Sequence, residues 1–158
     1  MLTHDSPEPP PGAPKLFLCH DSRDRDQVTE LESRLHELGV DTWRDQQDLR
    51  GGDDWDWQIR HVIQKQVDYV LVLETPNMLS RPESYLHREI AEGLKRQKGF
   101  DSGQIFMIPA RLQSCAGLAR LEHLHGRDLT SGAGVQRLVK EILADWQQRV
   151  ERLRQVVH

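Results

Sequence analysis

Residues 15–43 read KLFLCHDSRDRDQVTELESRLHELGVDTW, and their pattern of apolar side chains decides the fold. The apolar run at 16–19 predicts a short buried strand, and residues 40–43, which read VDTW, predict a second one. Between them, apolar residues recur at helical spacing, and Gly39 is the residue type that commonly ends a helix. These helical positions are Val28, Leu31, Leu35 and Leu38. The segment therefore predicts one strand–helix–strand unit.

The alternation of strands and helices continues along the chain. Further strands are predicted at 69–73, 105–108 and, weakly, 127–129. Further helices are predicted from the apolar spacing within 55–63, 86–94 and 135–146. Asp24, followed three residues later by Gln27, resembles a capping box at the start of the first helix. Strands that alternate with helices predict a parallel sheet covered on both faces, with ligands bound beyond the carboxyl ends of the strands.

The two ends of the chain differ from the part between them. Residues 1–14 hold five of the eight prolines, which predicts an extended and disordered lead-in. Apolar residues continue at helical spacing beyond Trp146, so residues 146–158 predict a helical extension. This extension either lies on its own domain or connects to a partner helix or a further domain. One domain is therefore predicted at 15–145.

Composition narrows the class of function. The chain has 21 basic and 25 acidic residues, and without a basic excess nucleic acid is not expected as a partner. The longest apolar runs are far too short to cross a bilayer, no signal segment is recognised, and two cysteines fit a reducing cytosol. We therefore expect a cytoplasmic protein without membrane contact. Phosphate-binding glycine motifs are absent, and His123 and His125 lack further candidate ligands, so no metal site is predicted.

Several stretches, in the right order and spacing, resemble the motifs of Toll/interleukin-1 receptor (TIR) domains. LFLCHDSRD at 16–24 is similar to the first motif, and SYLHREI at 84–90 is similar to the third-helix motif. GVDTWRD at 39–45, followed by DLRGGDDW at 48–55, resembles the second strand and the BB loop of the bacterial branch. IPARL at 108–112 is similar to the usual end of the fourth strand. The resemblance covers residues 15–145.

The resemblance implies a fold and a mode of assembly. The fold would be a flavodoxin-like three-layer α/β/α arrangement, with a five-stranded parallel sheet in the order 2-1-3-4-5. The domain would associate with further copies through TIR–TIR contacts that involve the BB loop, here residues 45–54. In this family a sensor domain is often attached to the same chain.

The resemblance also implies an enzymatic activity. Many bacterial TIR domains cleave NAD+ at the nicotinamide–ribose bond, and their catalytic residue is the glutamate of the third helix. By position, that residue is Glu89. The expected enzyme is an NAD+ nucleosidase that releases nicotinamide and ADP-ribose or a cyclic ADP-ribose, with NAD+ as substrate and no cofactor. Its expected role is that of an antiphage-defence effector activated by self-assembly.

Two alternatives remain open for the function. The first is a non-catalytic TIR–TIR adaptor that only assembles. The second is a secreted effector that interferes with host TIR signalling. Loss of the third-helix glutamate would be typical of an adaptor, whereas this chain keeps Glu89.

A single carboxylate suits the expected chemistry. Ordinary glycosidases need a second carboxyl group because their leaving group must be protonated. Nicotinamide departs from a cationic pyridinium as a neutral molecule, so one carboxylate that stabilises an oxocarbenium-like transition state is sufficient. Helical spacing places Glu89 on the flank of the stripe formed by Leu86, Ile90 and Leu94, where its stem would be partly shielded. The alternative is a solvated acid on the helix surface, like Glu92.

Other candidate substrate-binding residues come from the loops that follow the first two strands and from the start of the third helix. They are His20, Asp21, Ser22, Trp43, Asp45, Leu49 and Tyr85. Tyr85 would stack on a ring of the substrate or form a wall of the pocket, and Trp43 could equally belong to the core. The guanidinium groups of Arg23 and Arg50 are candidates for contact with the pyrophosphate.

Overall fold

Five parallel strands form the central sheet of the computed structural model, which describes residues 12–44, 52–80, 85–101 and 104–157. The strands are β1 (Lys15–Cys19), β2 (Asp41–Arg44), β3 (Tyr69–Glu74), β4 (Met107–Arg111) and β5 (Arg127–Asp128). Their order is β2-β1-β3-β4-β5, which confirms the predicted flavodoxin-like topology. Because every neighbouring pair is parallel, all strands end at the same edge of the sheet, which we call the carboxyl edge.

Helices cover both faces of the sheet. They are α1 (Arg25–Glu37), α2 (Gly52–His61), α3 (Pro76–Leu79), α4 (Tyr85–Gln97) and α5 (Gly132–Val157). Alternate side chains of β1 enter two different cores, as the pleat of a strand requires. Leu16 and Leu18 pack with α1 and α5, whereas Phe17 and Cys19 pack with α2 and α4. Helix α2 continues directly into a π-helical segment, Val62–Gln66.

Some predicted boundaries are wrong by a few residues. Strand β3 continues through Glu74, one residue beyond the predicted end, and β4 spans Met107–Arg111 instead of 105–108. Strand β4 tolerates Pro109 because only Ala110 and Arg111 pair with β5. The BB loop was predicted to extend to residue 54, but α2 begins at Gly52. The sequence has acidic residues at 53 and 54, a residue type that is enriched in the first turn of helices.

The predicted capping box at Asp24 is also wrong. Asp24 occupies the N-cap position of α1, but its side chain makes no capping hydrogen bond. A 3-10 turn, Ser22–Asp24, precedes the helix and is capped by Asp21, whose carboxylate accepts a hydrogen bond from the N–H of Arg23. This turn gives Asp24 φ −101° and ψ 15°, outside the extended region from which N-cap side chains reach back to the helix. The Asp24 carboxylate is thereby released to bind elsewhere.

The N-terminal end of the described chain contacts the domain. The N–H of Asp41 donates to the carbonyl of Pro14 (2.9 Å), and Trp146 Nε1 donates to the carbonyl of Gly12 (3.2 Å). Helix α5 is one continuous helix of 26 residues, so no break marks the predicted boundary between residues 145 and 146. Residues 1–11 of the predicted lead-in lie outside the described residues, and their disorder stays a prediction.

The guanidinium of Arg149 fixes α5 to the edge of the sheet opposite the carboxyl edge. Its Nη1 donates to the carbonyl of Asp68 (3.0 Å), its Nη2 donates to the carbonyl of Ile105, and its Nε lies 3.1 Å from Oδ2 of Asp145. Two aromatic rings complete the contacts, with the guanidinium carbon 4.2 Å from the ring centre of Tyr69 and 5.0 Å from that of Phe100. We call these residues the Arg149 cluster.

Asp68, at the border of this cluster, gives the stability of the domain a defined pH dependence. Burial raises the pKa of Asp68 above its usual value, and this outweighs a hydrogen bond from the N–H of Lys15 and the nearby charge of Arg149. Folding therefore favours the protonated acid, so the contribution of Asp68 to stability is fully present below its unfolded pKa of 3.8 and is lost as pH rises through the higher folded pKa.

We therefore expect Asp68→Asn to gain stability relative to the wild type as pH rises from 4 to 7. Asparagine keeps an oxygen that can accept the Lys15 hydrogen bond, but it carries no charge that burial disfavours. The measurement is urea unfolding of both proteins at each pH. A difference in unfolding free energy that stays constant, or that shifts towards the wild type, would contradict the assignment.

Candidate active site

The carboxyl edge brings together the segments that sequence analysis singled out. Strand β1 ends at Cys19 and continues into His20 and Asp21, while the neighbouring strand β3 ends at Glu74 and continues into Thr75. The chain connects β1 to β2 on one side and β3 to β4 on the other, so the order of the strands reverses between β1 and β3. This switch point is where ligands bind in open α/β sheets.

A buried polar network fills the switch point on the side of α1. Asp24 accepts hydrogen bonds from Thr75 Oγ1 (2.6 Å), Asn77 Nδ2 (2.8 Å) and, at the limit of distance, Gln113 Nε2 (3.5 Å). Asp24 and Thr75 are both buried. Each oxygen of the carboxylate has a donor, so the negative charge is compensated where it is removed from water. This network joins the loops after β1, β3 and β4 and acts as a support for the edge.

Asp21 and Arg23 form the next layer outward. The buried carboxylate of Asp21 accepts from the N–H of Arg23 (2.9 Å) and from its Nε (2.9 Å) and Nη2 (3.1 Å). The hydrogen bond and charge of Asp21 raise the pKa of Arg23. Nη2 also donates to the carbonyl of Asn77 (2.8 Å) and to Ser80 Oγ (3.2 Å). Asp21 thus holds Arg23 across the gap between the loops after β1 and β3.

The side chains of His20 and Trp43 both contact residues of β1. His20 is buried, and its Nδ1 lies 3.2 Å from the carbonyl of Leu18, which requires the proton to be on Nδ1 because a carbonyl can only accept. Trp43 stacks on Phe17, with ring centres 4.9 Å apart and planes inclined by 18°. Phe17 and Trp43 are register partners in β1 and β2, so Trp43 packs against the core on the side of α2 and α4.

Glu89 lies in the second turn of α4 and is completely buried, with 0% of its surface exposed. The sequence pattern predicted a partly shielded flank position, and the structure shows full burial between Leu86 and Ile90. The alternative of a solvated surface acid does not hold for this residue. Glu92, which was predicted to be a solvated acid, is itself partly buried: it accepts a hydrogen bond from Gln64 Nε2 (3.0 Å) and only 17% of its side chain is exposed. Fully buried glutamates are rare, because removing a carboxylate from water is unfavourable.

A family model described as a TIR domain matches residues 16–143. The chain belongs to the TIR domain family. Among solved structures, the chain is similar to the TIR domain of the Toll-related receptor TRR-2 from the lower metazoan Hydra magnipapillata. The identity is 18%, the match covers 84% of this chain and 97% of the other, and the TM-score is 0.62, a likeness that concerns the fold. No curated protein sequence matches this TIR domain.

Three of the predicted site residues cannot be compared with the geometry. Asp45, Leu49 and Arg50 lie in the part of the BB loop outside the described residues. Tyr85 is the first residue of α4, and its side chain is likewise outside the description. Ser22 is the first residue of the 3-10 turn and is partly exposed. The roles of all these residues in binding a substrate stay predictions.

Sequence reasoning missed the residues that support the carboxyl edge of this TIR domain. Besides the Asp24 network, Glu74 is buried and accepts a hydrogen bond from the N–H of Leu118 (2.6 Å). Gly117 precedes Leu118 with φ +83°, a conformation that glycine adopts easily, and its position lets the loop pass close to the Glu74 carboxylate. The only sequence signal for Glu74 is an acid placed directly after an apolar run, which also occurs at ordinary strand ends.

Among the residues that the structure describes, no three or more histidine, cysteine, aspartate or glutamate side chains are grouped so that they could hold a metal ion. No helix in the part of the TIR domain that the structure describes combines the length and apolarity needed to cross a membrane.

Proposed function

We propose that this TIR domain is an NAD+ nucleosidase and that Glu89 is its catalytic residue. The TIR family includes both NAD+-cleaving members and adaptors, so membership alone does not decide between them. The observation that carries the proposal is the complete burial of the Glu89 carboxylate on α4, in the position of the family's catalytic glutamate. Fully buried acids are rare in folded proteins, and they cluster at functional sites.

The proposed reaction needs one carboxylate and water. The bond between C1′ of the ribose and the pyridinium nitrogen breaks, and its electron pair moves to that nitrogen, which leaves neutral nicotinamide. Glu89 stabilises the positive charge that develops on the sugar and binds the ribose hydroxyls. Water then adds to C1′ and loses a proton to give ADP-ribose, or a nucleophile within the same molecule adds to give a cyclic ADP-ribose.

The remaining site residues are proposed to bind the rest of the substrate. His20, Asp21 and Ser22 would line the nucleotide pocket at the end of β1, with Trp43, Asp45 and Leu49 on the side of β2 and the BB loop. Tyr85, one helical turn before Glu89, would contact a ring of NAD+. The bonds between Asp21 and Arg23 suggest that Asp21 acts by orienting the guanidinium, which would then face the pyrophosphate.

Assembly is the proposed switch of this activity. TIR domains generally self-associate through TIR–TIR contacts. We propose that such contacts, with the BB loop taking part, complete the active site, and that an attached sensor domain triggers them. The biological role would be that of a bacterial, cytoplasmic antiphage-defence effector.

The test is to incubate the purified chain with NAD+ and to measure nicotinamide and ADP-ribose by chromatography. The incubation is done in dilute solution and again with a crowding agent that enforces assembly. We expect turnover that rises steeply with protein concentration. If NAD+ is not consumed even when light scattering shows assembly, the chain is an adaptor and the proposal fails. Binding to a host TIR domain without turnover would instead support an interfering effector.

A further inference from the structure

Two residues of α4 bind the π-helical segment that continues α2 and the residue that follows it. Gln64 Nε2 donates to Glu92 Oε2 (3.0 Å) and to the Glu92 carbonyl (3.2 Å). One helical turn further on, Arg96 Nη1 donates to the carbonyls of Ile63 (2.7 Å) and Val67 (2.6 Å). We call these contacts the α2–α4 clamp.

The clamp shows how the two helices are aligned. Its contacts join residues 28 to 33 positions apart, and they advance together along both helical segments. Glu92 contacts residues 60 and 64, and Arg96, one turn further along α4, contacts residues 63 and 67. Helices α2 and α4 therefore run side by side in the same direction, both starting at the carboxyl edge. Moving from Arg96 towards the start of α4 therefore means moving from the π-helical segment towards the start of α2.

Glu89 lies on the same stripe of α4 as the clamp. Glu89, Glu92 and Arg96 are spaced by three and four residues, so their side chains leave the helix on one side. Since the second and third of these face α2 and its continuation, Glu89 faces α2 as well, one turn nearer the carboxyl edge. With the offset of the clamp, it lies level with the turn of α2 at roughly residues 56–61.

We infer that α2 forms the wall opposite Glu89 and that Glu92 is a positioning residue, which holds the carboxylate at a fixed distance from that wall. Helix α2 begins at Gly52, so the clamp connects the continuation of the helix that follows the predicted BB loop to the helix that carries Glu89. This inference rests on the proposed function of Glu89, but its structural part can be measured separately.

The hydrogen bond from Gln64 positions Glu92, whereas the ion pair between Arg60 and Glu92 contributes little. Arg60 Nε lies 3.4 Å from Glu92 Oε1, but 61% of the Arg60 side chain is exposed, and such surface pairs contribute little. The Gln64 bond is partly buried and has a charged acceptor, which makes it stronger than a neutral pair. Glutamine at position 92 would keep an oxygen that accepts this bond, whereas alanine would not.

We expect Glu92→Ala to lower kcat for nicotinamide release about tenfold with KM changed less than about twofold, because a displaced catalytic group affects the chemical step. Glu92→Gln should recover most of the lost kcat. Gln64→Ala should match Glu92→Ala, and the double variant should be no slower than either single variant, because both remove the same bond.

The matched control removes a different ion pair. Glu141 binds the guanidinium of Arg127 between α5 and β5, far along the sheet from α4. Glu141→Ala is expected to keep the wild-type kcat. Amide hydrogen exchange gives a readout that does not depend on turnover: Glu92→Ala should speed exchange in peptides covering residues 52–67, whereas Glu141→Ala should leave them unchanged.

The outcomes separate the inference from the proposed function. If the wild type is active but Glu92→Ala and Glu141→Ala have the same kcat, the positioning role of Glu92 is wrong while the enzyme stands. If the wild type releases no nicotinamide, the function is wrong, and the exchange experiment still decides whether Glu92 holds α2 against α4. Equal exchange in both variants would overturn that structural part.

Discussion

Replacing Glu89 with glutamine is expected to lower the rate of nicotinamide release by about 10²- to 10³-fold, the range found when one preorganised electrostatic stabiliser is removed. Glutamine has nearly the same shape as glutamate but no negative charge to stabilise the sugar cation. Because Glu89 is fully buried between Leu86 and Ile90, a variant of equal size keeps the packing of α4. Alanine would leave a cavity in the same place, so glutamine is the informative substitution.

The measurement is the initial rate of nicotinamide formation under enforced assembly, with the denaturant midpoint of each variant as a check on folding. Glu30→Gln provides the control, because Glu30 is an exposed glutamate on α1 and its substitution changes the net charge equally. We expect this control to have the wild-type rate. A Glu89→Gln protein that is folded and as active as the control would remove Glu89 from the reaction.

Replacing Arg149 with alanine is expected to lower the free energy of unfolding by about 3 kcal/mol, the lower end of the range for breaking a buried ion pair. The side chain of Arg149 is only 17% exposed, and its loss leaves the Asp145 carboxylate at 20% exposure without its cation. Two carbonyls, those of Asp68 and Ile105, lose a donor at the same time. Asp145 also accepts a hydrogen bond from the Tyr69 hydroxyl (2.5 Å), and burial together with this bond raises the pKa of Tyr69.

Equilibrium unfolding in urea provides the measurement for Arg149. Arg149→Lys should recover only a small part of the loss, because an ammonium group cannot bind two carbonyls and a carboxylate while lying flat on the Tyr69 ring. Arg152→Ala, an exposed position on the same helix, should change stability by less than about 0.5 kcal/mol. Equal effects of Arg149→Ala and Arg152→Ala would show that the Arg149 cluster does not stabilise the domain.

Most of the fold followed from the periodicity of the sequence. The run at 16–19 predicted β1, and the spacing of Val28, Leu31 and Leu35 predicted α1. Gly39, which was predicted to end this helix, follows it with a positive φ of +102°. Periodicity predicts these elements because each one buries one face, so its apolar residues recur at a regular spacing in the sequence. It fails at the ends of elements, where single contacts decide, as at Gly52 and Glu74.

The chemistry of the edge could be predicted only in part. Glu89 was found through a motif, but its full burial depends on how α4 packs against its neighbours, which no local pattern contains. Asp24 was misread because a capping box is judged from residues three apart, whereas its actual partner, Thr75, is 51 residues away. Arg96 and Arg149 each bind backbone carbonyls of distant segments. Because every residue has a backbone carbonyl, the sequence does not indicate which one an arginine binds.

The π-helical segment Val62–Gln66 holds one extra residue at the point where α2 approaches β3. Its turn closes from residue i to i+5, as in the 3.2 Å bond from the N–H of Val67 to the carbonyl of Val62, so it holds one residue more than an α-helical turn would. Loss of a single residue here would let the turn close as an α-helix, and the residues that follow would keep their direction. Loss of a residue within α2 itself would instead rotate the residues between the deletion and this segment by about 100°. Single-residue deletions should therefore be tolerated better within the π-helical segment than within α2.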